Sequence, residues 1–320
     1  MMKAIIFGGT GWVGHHIVLD LLKHGYDATV ASRGAKSEAD YAEPLPAGTR
    51  RITIDKNSAP EMEKLFAAEK FEIVIDSVPS LNSIANVFKF ARGLRHYLHC
   101  SSTGGYAPLP FIPCDETARY HGAAEDDKLE DIVGVGWKGK TFCDAEVMRL
   151  FNIYGFPATV IRPCYITGGG DRLPLDNLGG RRERFLPDIL AGNTLEVPDN
   201  GLSLLQPIHV KDLARSFRLA IENRRSIGER YNICLDHALP FKNYLELNAE
   251  ALGKKAVMEF VPLAELLVRH PEDPLGLRFV ATHMCFTIAK ARSEIGYVPE
   301  HTPEEAIAET ARLCAAKLKR

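Results

Sequence analysis

The feature that most narrows the choice of fold lies at the N-terminus. A buried strand-like run, Lys3–Phe7, leads into GGTGWVG and then into an amphipathic segment. Glycines at 8, 11 and 14 follow a GxxGxxG spacing. In a strand–turn–helix setting each glycine has its own physical role. Gly8 permits a tight turn, Gly11 lets backbone approach a pyrophosphate, and Gly14 lets the helix pack closely on the sheet. The helix start then offers unpaired N–H groups and the positive end of its dipole to an anion. Trp12–His24 carries Val13, Ile17, Val18, Leu21 and Leu22 on one side, and Gly25 follows as a terminating residue. A dinucleotide site opened by Gly8, Thr10, Gly11, Trp12, Val13 and Gly14 is the expectation.

The same rhythm continues along the chain. Strand-like runs recur at Ala28–Ala31, Arg51–Ile54, Ile73–Ile75, His96–Cys100 and Thr159–Ile161, with helical patterns between most of them. Such alternation predicts parallel βαβ units, hence an α/β, Rossmann-type doubly wound sheet. From about Ile166 the rhythm breaks, and Thr167–Gly180, rich in Gly, Pro, Asp and Asn, reads as a long loop of the kind kept for function. Val210–Asn223 and Arg230–Ile233 return to the core pattern, whereas Phe241–Leu252, Leu263–Val268 and Pro303–Leu318 read as further helices. The organisation expected is a dinucleotide-binding domain from residues 1–165 plus 209–235. A smaller, mostly helical substrate lobe takes residues 166–208 plus 236–320.

Composition excludes several other classes. In 320 residues, 39 Lys and Arg stand against 41 Asp and Glu, a net charge of −2 that argues against a general affinity for nucleic acid. No run approaches the ~20 apolar residues that cross a bilayer, so no membrane partner is expected. MMKAIIFGG lacks the layout of a signal peptide, and a soluble, cytoplasmic protein is expected. The seven cysteines are scattered without CxxC spacing and read as reduced thiols. His15 and His16, adjacent on a helix, point about 100° apart and could not share an ion, so no metal is expected.

Cofactor choice turns on the end of the second strand. An NAD site commonly places Asp or Glu there for the ribose hydroxyls. This chain has Ser32 and Arg33. A carboxylate would repel a 2′-phosphate, whereas Arg can pair with it bidentately and Ser can add a hydrogen bond. NADP(H) is therefore the expected cofactor and NAD(H) the second choice; a solvated arginine in a surface turn is the plainer alternative.

GGTGWVG, Asp55, SSTGGY at Ser101–Tyr106, IRPCYITGGGD at Ile161–Asp171, QPIHVKDLAR at Gln206–Arg215 and AKARSEIGYVPEHTPEEAI at Ala289–Ile307 resemble, in order, the extended short-chain dehydrogenase/reductase superfamily of NAD-dependent epimerase/dehydratase-like proteins. The resemblance implies a Tyr-x-x-x-Lys pair working with a Ser or Thr, the Tyr exchanging a proton while the Lys lowers its pKa and holds the nicotinamide ribose. The Ser position falls on Ser102 and the Lys position on Lys140, but Gly136 stands where the Tyr belongs. The alternative register, Lys138 with Phe142, supplies no Tyr either. Three readings stay open. Tyr106, Tyr120, His121 or Tyr165 stands in as acid, Tyr106 being the candidate grouped with Ser102 and Lys140; or Lys140 is the only charged helper; or the nucleotide is bound without turnover. Each tyrosine can equally fill core space.

By the same resemblance, cofactor contacts extend to Asp55, Lys56, Ser77, Val78, Lys140, Pro163 and Tyr165, and substrate contacts fall on Thr103, Arg172, Arg181 and Arg184. Those arginines, with Arg182, suit a sugar nucleotide or similar anionic small molecule, a solvated basic face being the alternative. Thr103 and Gly104 stand where sugar-nucleotide 4,6-dehydratases carry an acidic pair, which disfavours that dehydration. Hydride transfer by an epimerase or reductase is the implied reaction, and a homodimer the implied assembly. Arg162–Ala214 is also similar to the chloroplast stem-loop RNA-binding proteins, so a non-redox protein that binds RNA or senses NADP(H) is the competing class.

Overall fold

The computed structural model describes residues 1–34, 43–120, 138–170, 173–180, 182 and 184–318. The N-terminal half runs β1 (Lys3–Phe7), α1 (Trp12–Lys23), β2 (Asp27–Ser32), β3 (Arg51–Thr53), α2 (Ala59–Ala68), β4 (Ile73–Asp76), α3 (Leu81–Phe90), β5 (His96–Cys100), α4 (Lys138–Tyr154) and β6 (Ala158–Pro163). There follow β7 (Tyr165–Thr167), α5 (Phe185–Ala191), β8 (Thr194–Pro198), β9 (Leu204–Leu205), β10 (Pro207–His209), α6 (Val210–Glu222) and β11 (Arg230–Ile233). The chain ends with β12 (Leu239–Pro240), α7 (Phe241–Ala251), β13 (Val257–Val261), α8 (Leu263–Arg269), α9 (Pro274–Val280), α10 (Ala289–Ile295) and α11 (Pro303–Lys317).

Seven strands form one sheet in the order β11-β6-β5-β4-β1-β2-β3, and every pairing in it is parallel. Parallel strands buried on both faces need apolar residues without alternation, and the Ala4–Phe7 and Ile73–Ile75 runs meet that demand. One face packs under α1, α6 and α10, where Ile17, Leu21, Leu213 and Phe217 close a core with Ile6 and Ile75. The other face packs under α2, α3 and α4, where Met62, Ile84 and Val147 meet Ile5 and Val74. An ion pair from Arg218 Nε to Asp20 at 2.9 Å also links α6 to α1. The chain thus returns to the sheet after an excursion, and β11 pairs with β6 through Tyr231↔Ile161.

The excursion and the C-terminal segment build a separate core from Phe185, Leu195, Val197, Tyr244, Leu245 and Ile307. Here the structure differs from the sequence pattern. Short strands make three two-stranded pairs, β10–β7, β12–β9 and β13–β8, alongside the helices. Four of these strands have only two or three residues and leave no periodicity to read, and β7 forms because Ile166 pairs with the distant Ile208. All seven cysteines are free, six of them buried. No helix among the described residues is long and apolar enough to cross a membrane.

Phe217 is wholly enclosed between α6 and the sheet. Truncating it leaves a cavity that rigid neighbours refill only in part, so Phe217→Ala should lower unfolding free energy by about 3–5 kcal/mol. Urea denaturation checks this, and a loss under about 1 kcal/mol would show that α1 and α6 can collapse onto each other.

Candidate active site

The Gly8–Gly14 turn sits at the C-terminal ends of β1 and β4, where open α/β sheets bind ligands. Gly8 adopts φ +77°, and a Cβ there would lie 2.5 Å from Ser77 Oγ. A Cβ on Gly14 would lie 2.2 Å from Gly8 O, so only glycine lets α1 approach β1 this closely. Gly11 precedes α1 without a side-chain cap, and the first turn holds no carboxylate. The first N–H groups of α1 therefore keep their pull on an anion, and the residues present fit the pyrophosphate of a dinucleotide.

The neighbouring strand ends close round this turn. Ser77 Oγ donates to Phe7 O at 2.9 Å, and exposed Val78 covers the Gly8 side. Lys56 reaches across to Asp76 and to Val78 O, so its ammonium braces the end of β4 from within the protein. Asp55 Oδ1 accepts from Asn57 N at 2.9 Å and shapes the turn after β3. Ser32 Oγ accepts from Gly34 N at 3.3 Å at the end of β2. Arg33 is exposed and makes no hydrogen bond or ion pair among the described residues.

At the end of β5, Ser102 Oγ accepts from Gly104 N at 3.2 Å and starts a tight turn over Thr103–Tyr106. Thr103 Oγ1 donates to Pro163 O at 3.3 Å, which ties the ends of β5 and β6. Lys140, in the first turn of α4, brings Nζ to 3.4 Å from Ser101 O. The structure therefore gathers Ser102, Thr103, Lys140 and Pro163 in one place. Gly136 and His121 lie outside the described residues.

Two of the nominated tyrosines have hydroxyls committed within the protein. Arg162 on β6 is buried, and its Nε and Nη2 reach Asp144 on α4 at 2.8 Å each. Its Nη1 donates to Tyr106 Oη at 2.5 Å, and its guanidinium lies 3.8 Å from the centre of the Tyr120 ring. The Tyr106 hydroxyl also donates to Asn232 Oδ1 at 3.0 Å, and burial pushes its pKa up to about 12 despite Arg162. Tyr120 Oη donates to Ser102 O and lies 3.1 Å from Ser101 Oγ. Burial opposes charge on Asp144, but the Arg162 charge and hydrogen bonds outweigh it and hold the carboxyl below its ordinary pKa. Asp144 is the residue that sequence reasoning missed. Its signal was available: a buried strand arginine needs a carboxylate, and Asp144 lies one helical turn after Lys140.

Arg172 and Arg181 lie outside the described residues. Arg184 is 84% exposed and only 3.7 Å from Asp188, so it stands in solvent. Arg182 is committed to Asp176, whose two oxygens also accept from the Leu178, Gly180 and Arg182 N–H groups. Tyr165 is half-buried between the two lobes, edge-on to Phe279, and its hydroxyl makes no hydrogen bond among the described residues. His209, Asp212 and His301 come within metal-binding reach of one another. His209 Nδ1, however, accepts from Lys211 N while Nε2 meets Glu309, and Asp212 already takes His301 Nδ1 and two backbone N–H groups.

Comparison with known proteins fits this geometry. The family model described as the NAD dependent epimerase/dehydratase family matches residues 4–125 and 137–234. The chain is 25% identical, over 97% of its length and 79% of the relative's, to the chloroplast stem-loop binding protein of 41 kDa b of Arabidopsis thaliana. It is also 25% identical to UDP-glucose 4-epimerase of Corynebacterium glutamicum, covering 97% of this chain and 94% of that one. Among solved structures, UDP-glucose 4-epimerase of Thermotoga maritima with UDP-glucose superposes with a TM-score of 0.74 at 18% identity, over 99% of this chain and 100% of that chain.

Removing one partner from the Arg162–Asp144 pair strands a buried charge, so Asp144→Asn or Arg162→Met should cost about 3–5 kcal/mol. Because the folded pKa of Asp144 is depressed, the pair's contribution is full above the ordinary value of 3.8 and is lost as pH falls through the folded value. Denaturant titrations across that acid range should show wild-type stability falling where Asp144→Asn stays flatter. Parallel profiles would contradict the assignment.

Proposed function

This chain belongs to the NAD dependent epimerase/dehydratase family, and we propose that it is an NADP(H)-preferring epimerase or reductase. Its substrate in this reading is a sugar nucleotide or similar small molecule, altered at a carbinol or carbonyl carbon. The observation that carries the reading is Lys140 Nζ at 3.4 Å from Ser101 O, next to Ser102, at the same sheet edge as the glycine turn. A nicotinamide cofactor, when bound, supplies the hydride acceptor and donor.

Each residue then has a role its surroundings support. The first N–H groups of α1 hold the pyrophosphate, and exposed Arg33 with Ser32 pairs with a 2′-phosphate. Lys140 holds the nicotinamide ribose. The Ser102 hydroxyl, which accepts from Gly104 N, keeps its own proton to donate to the reacting oxygen. Tyr106 belongs to the Arg162 network and acts as a positioning residue, not as the acid. Among the described tyrosines nominated from sequence, Tyr165 alone has an uncommitted hydroxyl, and burial raises its pKa well above the usual value. A neutral phenol at the cleft suits proton exchange with substrate, and this reading assigns Tyr165 that role. A homodimer through α3 and α4 belongs to the same reading, supported by exposed Phe88, Phe142, Ile153 and Tyr154.

Calorimetric titration tests the cofactor assignment: NADPH should bind more tightly than NADH, and Arg33→Glu should reverse or abolish that order. An unchanged preference would leave Arg33 a solvated surface residue. Kinetics with UDP-sugars separate the other roles. Lys140→Ala should weaken NADPH binding at least tenfold, whereas Tyr165→Phe should leave that binding intact and lower kcat by roughly 10²-fold or more. Normal turnover in Tyr165→Phe would remove it from the mechanism, and salt-dependent RNA binding without any turnover would favour a binding role instead.

A further inference from the structure

Two histidines and two carboxylates meet where α6 and α11 begin. His301, just before α11, lies face to face with His209, the last residue of β10, with ring centres 3.7 Å apart and planes 10° from parallel. His301 Nδ1 lies 2.9 Å from Asp212 on α6, whose carboxylate also accepts from the Glu300 and His301 N–H groups at 2.9 and 3.2 Å. His209 Nε2 lies 2.9 Å from Glu309 on α11. That helix in turn clamps the chain leaving β7. Gly168 N donates to Thr310 Oγ1 at 2.7 Å, and Gly169 N donates to Glu309 Oε1 at 3.0 Å. Leu213 and Phe217 of α6 belong to the core on the sheet and Ile307 of α11 to the second core, so this junction joins the two.

Hydrogen bonding decides which ring can gain a proton. His209 Nδ1 accepts from Lys211 N at 3.2 Å, so its one proton is on Nε2 and is donated to Glu309. A second proton there would cost the bond from Lys211. His301 differs. Its Nδ1 donates to Asp212, its side chain is 27% exposed, and its Nε2 has no partner among the described residues and can take a proton from solvent. The charged groups around it are Asp212, Lys211 and Arg215 from α6, Glu300 beside it, and Glu305 and Glu309 from α11. Arg215 is already paired with Asp212 and with Glu300 at 3.2 Å each. The bond to Asp212, together with the Asp212 and Glu309 charges, outweighs desolvation and holds the His301 pKa above its ordinary 6.5.

We propose that His301 makes this junction a pH-sensitive latch, fastened while its ring is charged and loosened when the ring is neutral. The charged ring gives Asp212 a charge-assisted hydrogen bond, which holds the approach to α11 against α6. Loss of the proton leaves a neutral N–H on the same carboxylate, a weaker contact, and the segment opens more often. Because the folded pKa is raised above 6.5, the latch is complete below 6.5 and is lost as pH rises through the folded value. The latch thereby sets how firmly α11, with its clamp on Gly168 and Gly169, is seated on the sheet domain.

Two measurements on the full chain test this. In a proton NMR titration, the His301 Cε1–H resonance, identified by its loss in His301→Gln, should titrate above 6.5. Hydrogen–deuterium exchange over residues 299–310, with the intrinsic pH dependence divided out, should show wild-type protection falling at least threefold between pH 6 and pH 8.5. His301→Gln keeps an N–H donor but cannot gain a proton, so its protection should change by less than about 1.5-fold over that range. His301→Asn, a second replacement that does not titrate, should be as flat. A His301 resonance titrating at or below 6.5, wild-type protection that does not fall, or an equal fall in the two variants would each overturn the latch.

Discussion

The guanidinium of Arg162 is the constraint on which the site depends. It lies buried in the sheet, where a lone cation is prohibitive, and its two bonds to Asp144 lock α4 against β6. That lock sets the rotation and height of α4, and Lys140 stands one turn before Asp144. The position of the ammonium beside the Ser101 carbonyl is thus a consequence of an ion pair that touches no ligand. The same guanidinium takes the Tyr106 hydroxyl and lies over the Tyr120 ring, so two tyrosines become supports for the end of β5.

Around that fixed edge, three strand ends contribute different chemistry. β1 ends in a turn that only glycines can make, because Gly14 must lie against Gly8 O. β2 ends in an exposed arginine where a carboxylate would select against a 2′-phosphate. β4 ends in Asp76, which is buried and braced by Lys56 and by Ser83 Oγ at 2.7 Å. The clamp on Gly168 and Gly169 then joins this edge to the C-terminal lobe through Glu309 and Thr310.

Much of this was legible from residues alone. The core strands, buried on both faces, announce themselves as apolar runs, and the glycine spacing marks the turn. What stayed hidden depends on long-range pairing. β7 is visible only once Ile208 lies opposite Ile166. Tyr106 is a candidate acid by its nearness in sequence, whereas in the fold its hydroxyl is taken by Arg162 and Asn232. Arg182 and Arg184 read as a basic cluster, but Asp176 captures the first and solvent surrounds the second. Charge in sequence is a count, whereas charge in the fold depends on what lies within about 4 Å.

We propose that this edge carries out hydride transfer instead of only holding a nucleotide. Its most direct measurement is the fate of a deuterium label: protein incubated with 4-deuterated NADPH or with NADP⁺ and a panel of UDP-sugars, followed by mass spectrometry of the sugar products. At least one member should yield either a reduced sugar that carries the label from 4-deuterated NADPH or, with NADP⁺, an epimerised sugar with the cofactor returned to its oxidised form. Saturable NADPH binding with every UDP-sugar and cofactor recovered unchanged would contradict hydride transfer here.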